Sequence, residues 1–295
     1  MAEPRSRSRH GCGPRWLALG FGVVASIGAA AVAHAETGPN ASDWSVLDHA
    51  RVRLIDAGPV PGGGTGRLAG LQVQLDPGYL TYWRSPGEAG LPPSLVTAGS
   101  TDLKSAALMF PAPDRYSEGG IEAIGYKDEV VFPVLVTPAA ADKPVGLKLG
   151  FDFGICERLC LPAHAAMSVT LDHDGTAPEA GIVRDAYARV PHRMGVGDPG
   201  SLVVTAVQGK ADGAPVTVHV RSTSSDVPML FAEAPDPWFV KAGEGLWSSD
   251  GSLTYRVVVS GAPADPAPLP LRLTLVGGDG AIEVGVTLDA PPPKP

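Results

Sequence analysis

Hydrophobic residues recur along most of the chain in short runs that glycine, proline or aspartate interrupt. In the first half these runs are rich in β-branched residues and partly alternate with polar positions, which is typical of β-strands. The predicted strands are Ala50–Ile55, Leu68–Leu75, Ala106–Phe110, Val130–Val136, Val145–Ile155 and Ala166–Leu171. Their spacing favours a β-sandwich over a helical fold.

A second series of similar runs predicts a second β-sandwich. Its strands are Leu202–Val207, Val216–Arg221, Met229–Ala232, Leu253–Val259, Leu271–Val276 and Ile282–Leu288. The sandwiches would occupy residues 36–172 and 201–290, with 173–200 as a linker. Within the linker, the apolar residues of Glu179–Val190 have helical spacing and stop at Pro191, so a short helix is predicted there.

Glycine and proline content agrees with an all-β protein rich in turns. The 295 residues include 37 glycines and 30 prolines, which argues against a mostly helical protein. The prolines and glycines of SPGEAGLPPS, residues 85–94, predict an irregular, shaped loop. The tail at 291–295, PPPKP, is predicted to be extended and disordered.

The N-terminus has the features of a secretory signal peptide. Four arginines precede an uncharged run from Trp16 to Ala33, and Ala33-His34-Ala35 matches an A-x-A cleavage site. The alternative is an uncleaved membrane anchor, because about 18 apolar residues can just span a bilayer. We predict cleavage after residue 35 and export to an exocytoplasmic compartment, with no stable membrane insertion afterwards.

The charge of the exported chain excludes several classes of partner. Without residues 1–35 the chain has 19 basic and 30 acidic residues and a net charge of −11. No basic stripe remains, so nucleic acid and anionic lipid surfaces are poor candidates. The compartment is oxidising, so a pair of cysteines there can form a disulfide.

The cysteines carry the sharpest chemistry in the sequence. Cys12 lies before the apolar run and leaves with the signal peptide, so only Cys156 and Cys160 remain. If Val145–Ile155 and Ala166–Leu171 form a hairpin, both lie near its tip. Opposed residues of an antiparallel pair have Cα atoms ~4.5–5.5 Å apart, within the ~4.4–6.8 Å that a disulfide requires. A helical turn would also permit the bond.

Two roles are open for this pair, a structural staple and a redox-active centre. A closed ring of about five residues stabilises a protein by only ~2 kcal/mol, whereas a disulfide at a loop tip is accessible to another thiolate. We therefore favour thiol chemistry. Binding of Cu(I) or zinc is a third option, but only His164 is nearby as a further ligand. We predict no metal site and no cofactor.

The sequence leaves the attacking sulfur open. Arg158 would favour a thiolate, Glu157 would oppose it, and both lie between the two cysteines. His164 can exchange protons near neutral pH or be a solvated loop residue.

Three segments together resemble a known family. They are residues 77–93, from Pro77-Gly78-Tyr79 to Gly90-Leu91-Pro92-Pro93; residues 125–134, Gly125-Tyr126-Lys127-Asp128-Glu129-Val130-Val131-Phe132-Pro133-Val134; and residues 156–163, Cys156-Glu157-Arg158-Leu159-Cys160-Leu161-Pro162-Ala163. In this order they resemble the periplasmic N-terminal region of the DsbD family of thiol:disulfide interchange proteins, in particular its copper-sensitivity-suppressor branch.

The resemblance implies an immunoglobulin-like domain whose reactive pair is Cys156 and Cys160. It also implies two kinds of partner, a membrane-embedded thiol reductase and periplasmic disulfide or thioredoxin-like proteins. A capping loop of the family would correspond to residues around Tyr116. Tyr79, Tyr82 and Trp83 are candidates to pack near the pair, or are core aromatics of the sandwich.

Two features depart from the best-known members of the family. The pair has the spacing Cys-x3-Cys, which is tighter than theirs. The sequence also shows neither a multi-span membrane segment nor a thioredoxin-like domain, so we expect a separate protein to supply or accept the electrons. The predicted function is thiol-disulfide exchange, as an oxidoreductase of protein disulfides. The alternative is a non-catalytic binding module or copper-handling protein with a structural disulfide.

Overall fold

The computed structural model describes residues 40–290, apart from 88–89, 119–120, 142, 173–174, 250, 262–266 and 279. The predicted signal peptide at 1–35 and the predicted tail at 291–295 lie outside the described residues. Within the described part of the chain, no helix is long and apolar enough to cross a membrane.

Two antiparallel sheets form the first sandwich. Their strands are β1 (Ser45–Leu47), β2 (Ala50–Pro59), β3 (Arg67–Leu75), β4 (Leu80–Gly87), β5 (Ser94–Val96), β6 (Leu103–Leu108), β7 (Asp114–Glu118), β8 (Ile121–Lys127), β9 (Glu129–Pro138), β10 (Val145–Cys156) and β11 (Cys160–Leu171). One sheet has the order β1-β2-β3-β9-β6, and the other has the order β11-β10-β4-β8-β7 with β5 added to β10. Both sheets contribute to one core, in which Trp83, Phe132 and Phe151 are fully buried.

The prediction of an all-β fold is confirmed, but four strands of the second sheet were not predicted. These are β4, β5, β7 and β8. Alternation is absent at the start of β4 because Leu80, Thr81, Tyr82 and Trp83 are all buried, so both faces of this strand are covered. The predicted loop at 85–94 is wrong at both ends: residues 85–87 belong to β4, and Ser94 begins β5.

A short helix packs against the first sheet. This helix, α1 (Ala180–Ala188), buries Ala180, Val183 and Ala186 at a spacing of three residues. Val183 lies over Gly70 of β3 so closely that a Cβ atom there would be 2.6 Å from a Val183 methyl carbon. The helix lies in the segment predicted as a linker, and it packs as part of the first sandwich.

Two further sheets form the second sandwich. The strands are β12 (His192–Met194), β13 (Leu202–Gln208), β14 (Val216–Ser222), β15 (Met229–Glu233), β16 (Phe239–Ala242), β17 (Leu246–Trp247), β18 (Leu253–Ser260), β19 (Leu269–Gly277) and β20 (Gly280–Leu288). The orders are β12-β20-β19-β15 and β13-β14-β18-β16, with β17 on β18. Their shared core includes the buried side chain of Tyr255.

The two sandwiches meet through buried contacts and belong to one compact unit. Phe231 of β15 is buried in the core cluster of the first sandwich, with its ring centroid 5.5 Å from that of Trp83. Arg84 of β4 donates to Glu233 at 2.9 and 2.7 Å and also forms an ion pair with Glu283. The second sandwich is therefore fixed against the end of β4.

Candidate functional site

A long hairpin positions the two cysteines. Strands β10 and β11 pair without interruption from Val145 opposite Leu171 to Cys156 opposite Cys160. Residues 157–159 form the exposed turn between the cysteines. The sulfurs are 2.8 Å apart and are not joined by a disulfide. The predicted hairpin is confirmed, and the cysteines are the last register pair before its turn.

The two sulfurs differ in exposure. Cys156 is buried, with 9% of its surface exposed, whereas Cys160 is only partly buried. Cys156 also pairs with Leu80 at the start of β4, so it has a neighbouring strand on each side. Cys160 lies on β11, the edge strand of the sheet. Solvent and an approaching protein therefore reach Cys160 more readily than Cys156.

A small apolar cluster surrounds the pair on the outer face of its sheet. Leu80, Tyr82, Ala123 and Cys156 form this cluster, and it is separate from the main core. Successive residues of a strand point to opposite faces, so Tyr82 faces the cluster while its neighbour Trp83 faces the core.

Tyr82 contacts Cys160 directly. The distance from the Tyr82 Oη atom to the Cys160 Sγ atom is 2.8 Å. Burial, together with hydrogen bonds to both cysteines, raises the pKa of Tyr82 above its ordinary value of 10.0. The hydroxyl therefore keeps its proton at neutral pH and can donate it in a hydrogen bond to a sulfur that has become a thiolate.

Two glycines make room for the Tyr82 ring. A Cβ atom on Gly154 of β10 would lie 3.0 Å from one edge of the ring, and a Cβ atom on Gly90 would lie 2.6 Å from the other edge. Gly154 also donates its N–H to the carbonyl of Leu91 at 3.2 Å, so the segment that follows β4 lies against β10. Larger residues at either glycine would push the ring away from Cys160.

Tyr116 covers the cluster from a second hairpin. Strands β7 and β8 pair with Tyr116 opposite Ala123, and the partly buried Tyr116 packs against the cysteine cluster. Its ring centroid is 4.7 Å from the Nζ atom of Lys127. Burial is the main cause that raises the pKa of Tyr116, followed by the nearby Asp114 carboxylate. The stretch expected to shield the pair thus contacts its cluster.

The other four candidate residues are not members of the cysteine cluster. Trp83 is in the core, on the opposite face of β4, so it does not line the site. Tyr79 stacks on His49 with 4.2 Å between ring centroids. Arg158 is exposed in the turn between the cysteines. His164 is exposed, four residues beyond Cys160 and so about 13 Å along the strand, with Nδ1 2.7 Å from Asp152 Oδ1.

Sequence reasoning missed Leu80, Ala123 and the two glycines beside Tyr82. Gly154 was the one local signal of this site, because a glycine inside a strand pattern indicates that another group approaches the backbone closely. Across the described ranges, no group of three or more histidine, cysteine, aspartate or glutamate side chains could hold a metal ion.

Comparison with known proteins relates the first sandwich to a family. Residues 56–172 match the family model of the N-terminal region of thiol:disulfide interchange protein DsbD. They include Tyr82, Tyr116 and both cysteines of the hairpin. The first sandwich belongs to the DsbD N-terminal family. The family resemblance seen in the sequence is thereby confirmed, and the DsbD-like sandwich contains every residue of the cysteine cluster.

Solved structures extend the likeness in fold beyond this domain. The N-terminal periplasmic domain of ScsB from Proteus mirabilis is 24% identical, with a TM-score of 0.61 over 86% of this chain and 100% of that chain. Both sandwiches therefore share a fold with ScsB. A conserved domain protein from Bacillus anthracis is 8% identical over 84% of this chain and 89% of that chain, with a TM-score of 0.22, too low for any structural argument. A search of curated proteins gave no match.

Proposed function

We propose that this protein exchanges electrons with disulfides of other proteins in the periplasm through Cys156 and Cys160. One observation carries the proposal: the two cysteine sulfurs lie 2.8 Å apart, with no disulfide between them, at the last register pair of a hairpin, and the Tyr82 hydroxyl is 2.8 Å from the more exposed sulfur. A small movement of the sulfurs to about 2.05 Å would form a disulfide without rebuilding the hairpin.

Cys160 is the attacking sulfur in this proposal, because it is the more exposed and because Tyr82 can donate to its thiolate. The Cys160 thiolate attacks one sulfur of a client disulfide, and the other client sulfur leaves as a thiolate. Cys156 then loses its proton to solvent and attacks the mixed disulfide. This step forms the Cys156–Cys160 disulfide and releases the second client thiolate, so two electrons pass to the client.

A second protein must restore the two thiols. The same steps run in reverse when a dithiol reductase attacks the Cys156–Cys160 disulfide, and we propose a membrane-embedded thiol reductase for this role. Family membership of the first sandwich supports this assignment. The clients would be periplasmic disulfide or thioredoxin-like proteins, and the protein would be exported by its N-terminal signal peptide.

Trapping of the mixed disulfide tests the proposal. A Cys156→Ala variant keeps the attacking sulfur and lacks the resolving one, so it should accumulate covalent adducts with periplasmic proteins. These adducts would be identified by mass spectrometry after non-reducing electrophoresis. The matched Cys160→Ala variant should capture far less. Equal capture by both variants would contradict the assignment of Cys160, and capture by neither would contradict exchange itself.

A further inference from the structure

Strand β7 connects the cysteine cluster to the second sandwich through two adjacent residues. Arg115 and Tyr116 are consecutive in an extended strand, so their side chains point to opposite faces. Tyr116 packs against the cysteine cluster. Arg115 donates from Nη2 to the carbonyl of Leu230 at 2.9 Å, and its guanidinium carbon is 5.3 Å from the ring centroid of Phe231. Leu230 and Phe231 both belong to β15 of the second sandwich.

Backbone pairing with β4 fixes only one half of the β7–β8 hairpin. Strand β7 is at an edge of the sheet, and among the strands that the structure describes it pairs with β8 alone. Strand β8 pairs regularly with β4 as far as Tyr82 opposite Gly125, and the register then shifts before Gly87 opposite Ala123. The half of the β7–β8 hairpin that carries Tyr116 lies beyond that regular pairing. Side-chain contacts therefore matter for its position.

Arg115 supplies such contacts with little exposure to solvent. Only 27% of its side chain is exposed, and its Nη1 atom is 3.3 Å from the carboxylate of Glu122 across the hairpin. The ion pair stiffens the hairpin itself, while the bond to Leu230 and the Phe231 ring fix the hairpin to the second sandwich. Loss of Arg115 would remove both kinds of contact and so weaken the attachment of the hairpin to the second sandwich.

We infer that Arg115 is a positioning residue through which the second sandwich holds Tyr116 over the cysteine pair, and so sets how readily a partner reaches the sulfurs. The inference rests on the proposed function, because it concerns access to the same pair. The second sandwich would then take part in the exchange, although both cysteines lie in the first sandwich. Cys156, 9% exposed, would become reachable mainly when the hairpin moves away.

The rate of alkylation of the reduced protein by iodoacetamide tests this inference. Arg115→Met should raise the rate at Cys156 about five- to tenfold, which is the factor that one ordinary hydrogen bond contributes to an opening equilibrium. Arg115→Gln keeps a polar side chain that is too short to reach the Phe231 ring, and it should also raise the alkylation rate of Cys156. This variant replaces Arg115→Met in the test if Arg115→Met does not fold. Rates equal to that of the wild type in the folded variants would overturn the inference.

Two controls separate positioning from general destabilisation. Arg193→Met removes an arginine of the second sandwich that is 87% exposed and paired with Glu283, away from the hairpin. Val183→Ala lowers stability at α1, on the other sheet. Both should alkylate at the wild-type rate, and faster alkylation in Val183→Ala would overturn the inference by showing that stability alone sets access. Alkylation requires no client, so its outcome is independent of the trapping experiment.

Discussion

Among single residues, Tyr82 matters most for the proposed exchange, through its hydrogen bond with Cys160. The two residues are 78 positions apart in sequence, and the contact forms because β4 pairs with the end of β10. In the proposed exchange the Cys160 sulfur becomes a thiolate, and hydrogen bonds to charged groups are worth ~1.5–3 kcal/mol. We therefore expect Tyr82 to favour the form of Cys160 that would attack.

Tyr82→Phe should slow exchange about tenfold, measured as the rate of reduction of an oxidised thioredoxin-fold protein. Because burial, followed by the two cysteines, raises the pKa of Tyr82 above its ordinary 10.0, the hydroxyl stays protonated and the tenfold difference should persist from pH 7 to about pH 10. Tyr255→Phe is the matched control, since it removes a buried hydroxyl that donates to Pro228 at 2.6 Å in the second sandwich. Equal rates for Tyr82→Phe and wild type would contradict this role.

Gly154→Ala tests the fit of the Tyr82 ring. The added Cβ would lie 2.9 Å from the Leu91 Cβ atom and 3.0 Å from the ring, so stability should fall by about 1–3 kcal/mol and exchange should slow. Urea unfolding measures the first effect. Gly285→Ala, also inside a strand but with no atom within 4 Å of the new Cβ, should leave both quantities unchanged. A neutral Gly154→Ala would show that the ring can move freely.

At the scale of elements, the β10–β11 hairpin already holds the cysteines together. Each strand has 12 residues, and the pairing is continuous to the turn. A disulfide that closes so short a ring adds only ~2 kcal/mol in the chain-entropy model. The bond therefore contributes little to the fold, which suits a pair that cycles between two redox states.

Oxidation of the pair should change the free energy of unfolding by no more than about 2 kcal/mol. The comparison requires urea unfolding of the reduced and the oxidised protein under otherwise identical conditions. The Cys156→Ala/Cys160→Ala double variant serves as the control, and it should not respond to the redox state of the buffer. A stabilisation of about 4 kcal/mol or more on oxidation would support a structural staple instead.

Elements also show how far the sequence predicts this molecule. The hairpin and most core strands were predictable, because the inward face of β10 alternates cleanly from Val145 to Phe151. Strand β4 was not predictable, because Leu80 to Trp83 are buried on both faces of the strand and so hydrophobic and polar residues do not alternate regularly along it. The site was predictable only as far as the two cysteines. Its tyrosines were named as candidates, but their contacts depend on pairing between distant strands, which no local pattern reports.

At the scale of the whole molecule, Arg84 joins the two sandwiches. Its guanidinium lies 4.4 Å from the Trp83 ring centroid and pairs with Glu233 and Glu283, whose side chains are 15% and 10% exposed. Removing one partner from a buried ion pair leaves uncompensated charge, which costs ~3–5 kcal/mol. This interface supports the position of β15 and hence the contact of Arg115 with Leu230.

Arg84→Met should lower the free energy of unfolding by about 3 kcal/mol or more, because two carboxylates lose their shared cation. Differential scanning calorimetry measures the change and also shows whether the sandwiches then unfold in separate transitions. Arg193→Met, which loses an exposed ion pair with the same Glu283, should cost less than about 1 kcal/mol. Similar losses in the two variants would contradict a special role for Arg84.

We propose above all that the folded protein passes two electrons through Cys156 and Cys160. The most direct measurement mixes the fully reduced native protein with an oxidised thioredoxin-fold protein and follows both by mass spectrometry. We expect this chain to lose about 2 Da and gain a Cys156–Cys160 disulfide while its partner gains two thiols. Thiols that stay reduced in the folded protein, and oxidise only after unfolding, would contradict it.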